Sequence, residues 1–86
     1  MRTFEGRRAI VTGAAGGIGS AVVAELASAG ARVAGLDSNA EALAAIEARL
    51  SMSLAKITVD LRSVGDVRDA VGAARVALGG QIDVVV

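Results

Sequence analysis

Apolar positions change their spacing repeatedly along this 86-residue chain. Short aliphatic runs at Ala9 to Thr12, Arg32 to Leu36, about Lys56 to Asp60, and Ile82 to Val86 read as strands. Between them lie longer stretches with helical spacing. The first, from about Gly17 to Ala29, places Ile18, Val22 and Leu26 on one stripe, and Gly30 ends it as a residue with positive φ would. The second buries Leu43, Ile46 and Leu50 and opens on Ser38-Asn39-Ala40-Glu41, which has the form of a capping box. The third begins at Ser63, buries Val67, Val71, Ala74 and Leu78, and stops at Gly79-Gly80. Uninterrupted alternation of strand and helix predicts an α/β fold with a parallel sheet. Right-handed crossovers then give strand order 3-2-1-4, with the first two helices on one face and the third on the other, the first half of a doubly wound fold.

Composition narrows the picture. Hydrophobic residues make up 53% of the chain with Phe4 the one aromatic, so the core is built from Ala, Val, Ile and Leu, as suits strands covered on both faces. Nine basic and nine acidic residues cancel, which leaves no electrostatic footprint for nucleic acid. With no cysteine and no histidine, neither disulfides nor a soft-metal site is expected. The uncharged stretch Ala9 to Ala24 carries four glycines and is shorter than the roughly 20 apolar residues of a membrane span. These features read as a soluble cytoplasmic protein without a membrane partner. Arg7 and Arg8 read as solvated residues at the start of the first strand.

Chemistry concentrates where the first strand runs into its helix. A strand that ends in glycines and feeds a helix aims unpaired N–H groups and the positive end of the helix dipole at one point, suited to a phosphate. Gly13 allows the sharp turn, Gly17 lets backbone approach a ligand, and Gly19 lets the helix lie close on the sheet. Gly16 adds a fourth small position. Ile18 belongs to the same turn, its side chain read as core, and the Thr12 hydroxyl is expected to fix the turn. Asp37, eighteen residues beyond Gly19 at the end of the second strand, can accept hydrogen bonds from ribose hydroxyls. Ser38 beside it either touches the ribose or caps the next helix. Asp60 and Leu61 close the third strand, where the acid either meets a base or caps the following turn.

Thr12-Gly13-x-x-x-Gly17-Ile18-Gly19 directly after a strand resembles the opening of the short-chain dehydrogenase/reductase family. Asp37, the Asp60-Leu61 pair and the run Ile82-Asp83-Val84-Val85-Val86 extend the resemblance over the whole chain. It implies residues 1–86 as the N-terminal part of a single NAD(P)-binding Rossmann domain, a fragment of a homo-oligomeric oxidoreductase. Such a parent transfers hydride between nicotinamide and a small alcohol or carbonyl substrate. The resemblance also implies an adenine contact at Asp60 and Leu61. NAD is favoured over NADP because Asp37 would repel a 2′-phosphate and Gly16 offers no compensating cation; Arg32 begins the same strand as Asp37, about 16 Å away. The family's catalytic serine, tyrosine and lysine are expected beyond Val86. The chain has no tyrosine, and its one lysine, Lys56, is expected at the wrong end of the sheet, so no catalytic residue is assigned here. Two other classes stay open: a methyltransferase, which the glycine spacing disfavours, and a non-catalytic nucleotide-binding module. A chain of this size buries only about 60–65% of its surface, so by itself it is expected to be weakly folded and prone to self-association through the fourth strand.

Overall fold

A computed structural model describes residues 4–50 and 54–86. The elements run β1 (Arg8–Thr12), α1 (Gly17–Ser28), β2 (Arg32–Asp37), α2 (Ala40–Leu50), β3 (Ala55–Thr58), α3 (Val64–Ala77) and β4 (Val84–Val85). All pairings are parallel and the strand order is β3-β2-β1-β4, the Rossmann-type arrangement expected from the alternation.

Strand alternation sorts the core into two layers, because successive side chains point to opposite faces. Ala9, Val11 and Val33 pack with Val23 and Leu26 of α1 and with Leu43 and Ile46 of α2. Ile10, Ala34 and Leu36 face the other way, onto Ala70 and Ala74 of α3 and Leu78 just after it. The expected assignment of helices to faces therefore holds.

Several details differ from the sequence reading. In α1 the buried residues are Val23 and Leu26, whereas Ile18 is 85% exposed. Ile18 lies in the first turn, beyond the end of the strand layer, so the stripe passes through Val22, Val23 and Leu26 instead. In α3 Ala70 takes a buried place expected for Val71, and Val67 is half-buried. Helix α2 is capped by Asn39, whose side chain accepts from Ala42 N–H at 3.0 Å, so the capping box from Ser38 to Glu41 does not form. Strand β3 stops at Thr58: the Asp60 carboxylate accepts from Arg62 N–H, and the Asp60 carbonyl accepts from Ser63 N–H, so the chain turns before Asp60 can extend the strand. Strand β4 covers Val84 and Val85, although ladder bonds continue from Asp83 N–H to Arg8 O and from Val86 N–H to Ile10 O.

Thr12 does not tie the glycine turn. Its hydroxyl and its N–H both donate to the Val86 carbonyl, pinning β4 to β1. Arg8 is half-buried rather than freely solvated: its N–H donates to Asp83 Oδ2 and its guanidinium to Gln81 Oε1. Glu47, which reads as an exposed helix charge, accepts from Leu54 N–H and from Lys56 Nζ, and so clamps α2 to β3.

Candidate site at the carboxyl ends of the strands

The turn between β1 and α1 is shaped by contacts of its own backbone. Gly13 has φ +62°, a conformation that side chains rarely adopt. A Cβ on Gly19 would stand 1.9 Å from the Gly13 carbonyl oxygen and 3.0 Å from Ala14 Cα. Gly19 is therefore required by the turn folded over it, and the close approach is to that turn rather than to the sheet. Gly17 is different, because a Cβ there would meet nothing within 4 Å. Gly16 is the N-cap of α1, in extended backbone and without a side-chain cap. The N–H groups of Gly17, Ile18 and Gly19 consequently have no acceptor among the described residues, and all belong to the positive end of the α1 dipole.

Two alanines lock this turn onto β2. Ala14, fully buried, donates its N–H to the Leu36 carbonyl, and Ala15 N–H donates to Asp37 Oδ2 at 3.0 Å. Gly35 makes room for them, since a Cβ there would lie 3.0 Å from Ala14 Cβ. The other Asp37 oxygen accepts from Asn39 N–H at 3.1 Å. A carboxylate offers about four acceptor positions, so Asp37 keeps capacity for further donors. It is half-buried, anchored at one oxygen to the β1–α1 turn and at the other to the start of α2.

Asp37 and Asp60 meet across a cavity of about 330 Å³ that is lined also by Ser38, Leu61 and Arg62. Leu61 is 42% exposed at its edge. A larger cleft shares Ser38 and Asp60 and runs down between β3 and α3 past Asp66 and Asp69. Asp60 is not a bare carboxylate: Arg62 Nε donates to Oδ1 at 3.0 Å and Nη2 donates to Oδ2 at 3.2 Å. That guanidinium, together with the Arg62 N–H, holds the Asp60 carboxyl below its usual range.

Every residue singled out from the sequence thus lies at the carboxyl end of the sheet: Gly13, Gly16, Gly17, Ile18 and Gly19 in the turn, Asp37 over it, and Asp60 and Leu61 across the cavity. Ser38 lines that cavity, and the cap of α2 comes from Asn39. Sequence reasoning missed Ala15, Gly35 and Arg62. Only Gly35 carried a usable signal, as a glycine inside a strand.

Comparison with known proteins agrees with this fold. Residues 7–86 match the family model described as short chain dehydrogenase. The chain is 40% identical over 89 aligned positions to D-threitol dehydrogenase of Mycolicibacterium smegmatis, covering 96% of this chain and 33% of that protein. A 3-ketoacyl-(acyl-carrier-protein) reductase from Brucella melitensis, solved in complex with NADH, superposes with a TM-score of 0.87 at 26% identity, over 96% of this chain and 34% of the other. A blue fluorescent protein from a metagenomic library, solved with NADPH, gives 0.84 at 34% identity, over 95% and 35%. The chain spans about a third of the length of these relatives. Among the described residues no helix is long and apolar enough to cross a membrane. Strand order, the glycine turn and the family match over nearly the whole chain lead to one conclusion: this chain belongs to the short-chain dehydrogenase family.

Proposed function

We propose that residues 1–86 form the NAD(H)-binding portion of an oxidoreductase acting on a small alcohol or carbonyl compound. The observation that carries this reading is the 3.0 Å bond from Ala15 N–H to Asp37 Oδ2, which sets an anion beside the phosphate-type turn. The residues fit a dinucleotide. Acceptorless N–H groups at Gly17, Ile18 and Gly19 suit the pyrophosphate, with the empty space at Gly17 allowing close approach. Asp37 would take the adenine ribose hydroxyls, and Asp60 and Leu61 the base.

The bound nicotinamide would supply hydride transfer. The residues of this chain bind and orient: they fix the phosphates by backbone dipoles, select the ribose by charge, and hold the base. No proton-transfer role is assigned to any of them, and the chain contains neither tyrosine nor histidine. NAD is preferred over NADP in this reading because a 2′-phosphate would meet the Asp37 carboxylate, while Gly16 provides no cation. Arg62, which lines the same cavity as Asp37, directs its Nε and Nη2 to Asp60 and makes no hydrogen bond to Asp37. The soluble cytoplasmic setting and homo-oligomeric assembly belong to the same proposal for the parent protein.

Fluorescence titration with NADH and with NADPH tests the assignment. NADH should bind about tenfold tighter or better, and Asp37→Asn should narrow the gap. Equal or tighter binding of NADPH by the native chain would overturn it.

A further inference from the structure

We infer that Arg62 sets which purine the base end of this site accepts, by occupying most of the Asp60 carboxylate and adding its own donors beside it. The inference rests on the dinucleotide reading above. Asp60 Oδ1 accepts both from Arg62 N–H and from Arg62 Nε, each at 3.0 Å, and Oδ2 accepts from Nη2 at 3.2 Å. Three of the roughly four acceptor positions of the carboxylate are therefore taken by a single residue, and the vacant one is on Oδ2. The guanidinium uses two of its five N–H donors in this pair, which leaves about three free. Both residues line the cavity that also holds Asp37, Ser38 and Leu61.

A bare carboxylate at this place would discriminate strongly. It accepts from the 6-amino group of adenine and repels the 6-oxo group of hypoxanthine, which is itself an acceptor. With Arg62 in place the same spot presents one acceptor and several donors side by side. An amino group meets Oδ2, and an oxo group meets the guanidinium. The Arg62 side chain is 92% exposed and touches no other described side chain by hydrogen bond, so it can shift within the cavity to suit either base. Arg62 thus widens base tolerance while the ribose and pyrophosphate contacts, made by other residues, stay unchanged.

Titration of the full chain with NADH and with its hypoxanthine counterpart, reduced nicotinamide hypoxanthine dinucleotide, reads this directly as a ratio of dissociation constants. The native chain should bind the two within about threefold of each other. Arg62→Ala should raise the preference for the adenine form about tenfold, the scale of one charge-assisted hydrogen bond gained and one lost. Asp60→Ala, which leaves the donors without the acceptor, should move the ratio the opposite way. Circular dichroism establishes that both variants fold, and a merely structural role would weaken both dinucleotides alike without moving the ratio. If both bind and the ratio stays fixed in both variants, the role of Arg62 is overturned and the NAD assignment stands. If the native chain binds neither dinucleotide, the assignment itself fails and this inference fails with it.

Discussion

The two ends of the sheet use the same residue types for opposite purposes. At the amino ends, Gly30 (φ +94°), Gly79 (φ +93°) and Gly80 (φ +98°) reverse the chain after helices, and their N–H groups donate to helix carbonyls. Asp83 there accepts from Arg8 N–H and from Gln81 Nε2, and Gln81 Oε1 accepts from the Arg8 guanidinium, whose Nε is buried without a partner among the described residues. At the carboxyl ends, Gly13 and Gly19 shape a turn whose neighbouring N–H groups stay without acceptors, and Gly17 borders empty space. Asp37 anchors that turn and keeps acceptor capacity in reserve. The lesson is that a glycine or a carboxylate becomes informative when its partners are counted: the amino-end glycines and Asp83 spend their hydrogen bonds within the fold, whereas the carboxyl-end turn and Asp37 keep some in reserve.

Substitutions at the glycines should break this contrast most visibly. Gly19→Val forces a side chain to within 1.9 Å of the Gly13 carbonyl, and should cost about 3 kcal/mol or more in thermal unfolding. Gly17→Ala should leave the melting temperature unchanged or slightly raised, because its Cβ meets nothing, yet weaken NADH by about tenfold. A well-folded Gly19→Val would show that the turn can relax. Full NADH affinity in Gly17→Ala would show that no ligand approaches there.

The aspartates give the next largest separation. Asp83→Ala should lower the melting temperature by stranding Arg8 N–H, without altering dinucleotide affinity. Asp37→Asn should lower dinucleotide affinity strongly and the melting temperature only slightly, since its one amide oxygen can still accept from Ala15 N–H while the exposed Asn39 N–H loses its acceptor and the charge beside the ribose is lost. Matched melting and binding measurements on both variants check the pair; a loss of NADH affinity in Asp83→Ala would erase the distinction between the ends.

Acid titration sharpens the comparison further. Asp83 is held below its usual range by hydrogen bonds from Arg8 N–H and then Gln81, and Asp60 by the Arg62 guanidinium and then its N–H. Glu47 is lowered by Lys56 first and Leu54 N–H second. For each, the unfolded chain binds more protons than the folded one between the two values, so stability rises with pH there. These contributions are present in full above the ordinary carboxylate values, about pH 4 to 4.5, and fade as the pH falls through the lower native ones. Melting temperature should accordingly be flat from pH 7 to about 5 and fall below that, with a shallower fall in Asp83→Asn. A fall that begins near neutrality would point to other groups. The smallest effect belongs to Glu47→Gln, which loses an exposed pair with Lys56 but keeps an oxygen for Leu54 N–H, and should barely shift the melting curve.

The layers of the fold were legible because burial follows period. Ile10, Ala34 and Leu36 alternate with Ala9, Val11 and Val33, and no other arrangement hides both sets. Helix stripes were legible only to within one position. Ile18, in the first turn of α1, stays exposed, and Val71 is turned off the face that Ala70 and Ala74 bury, so the spacing gave the helix but not which of two adjacent positions meets the sheet. At the site, glycine spacing and strand-ending acids stand out because backbone geometry demands particular residues there. The bond between Asp37 and Ala15 joins residues far apart in the chain, and an alanine gives no hint that its N–H is needed. Arg62 was hidden for another reason: an exposed arginine near a helix start has the form of a solvated charge until the structure turns it back onto Asp60.

Whether the carboxyl end alone receives the dinucleotide is answered most directly by mapping backbone amide shifts of the 86-residue chain during NADH titration. The account predicts saturable shifts at Gly17, Ile18, Gly19, Asp37 and Leu61, with Gly30, Gly79 and Gly80 unmoved. Shifts centred on the amino-end glycines, or none at all in a chain that is folded, would contradict it.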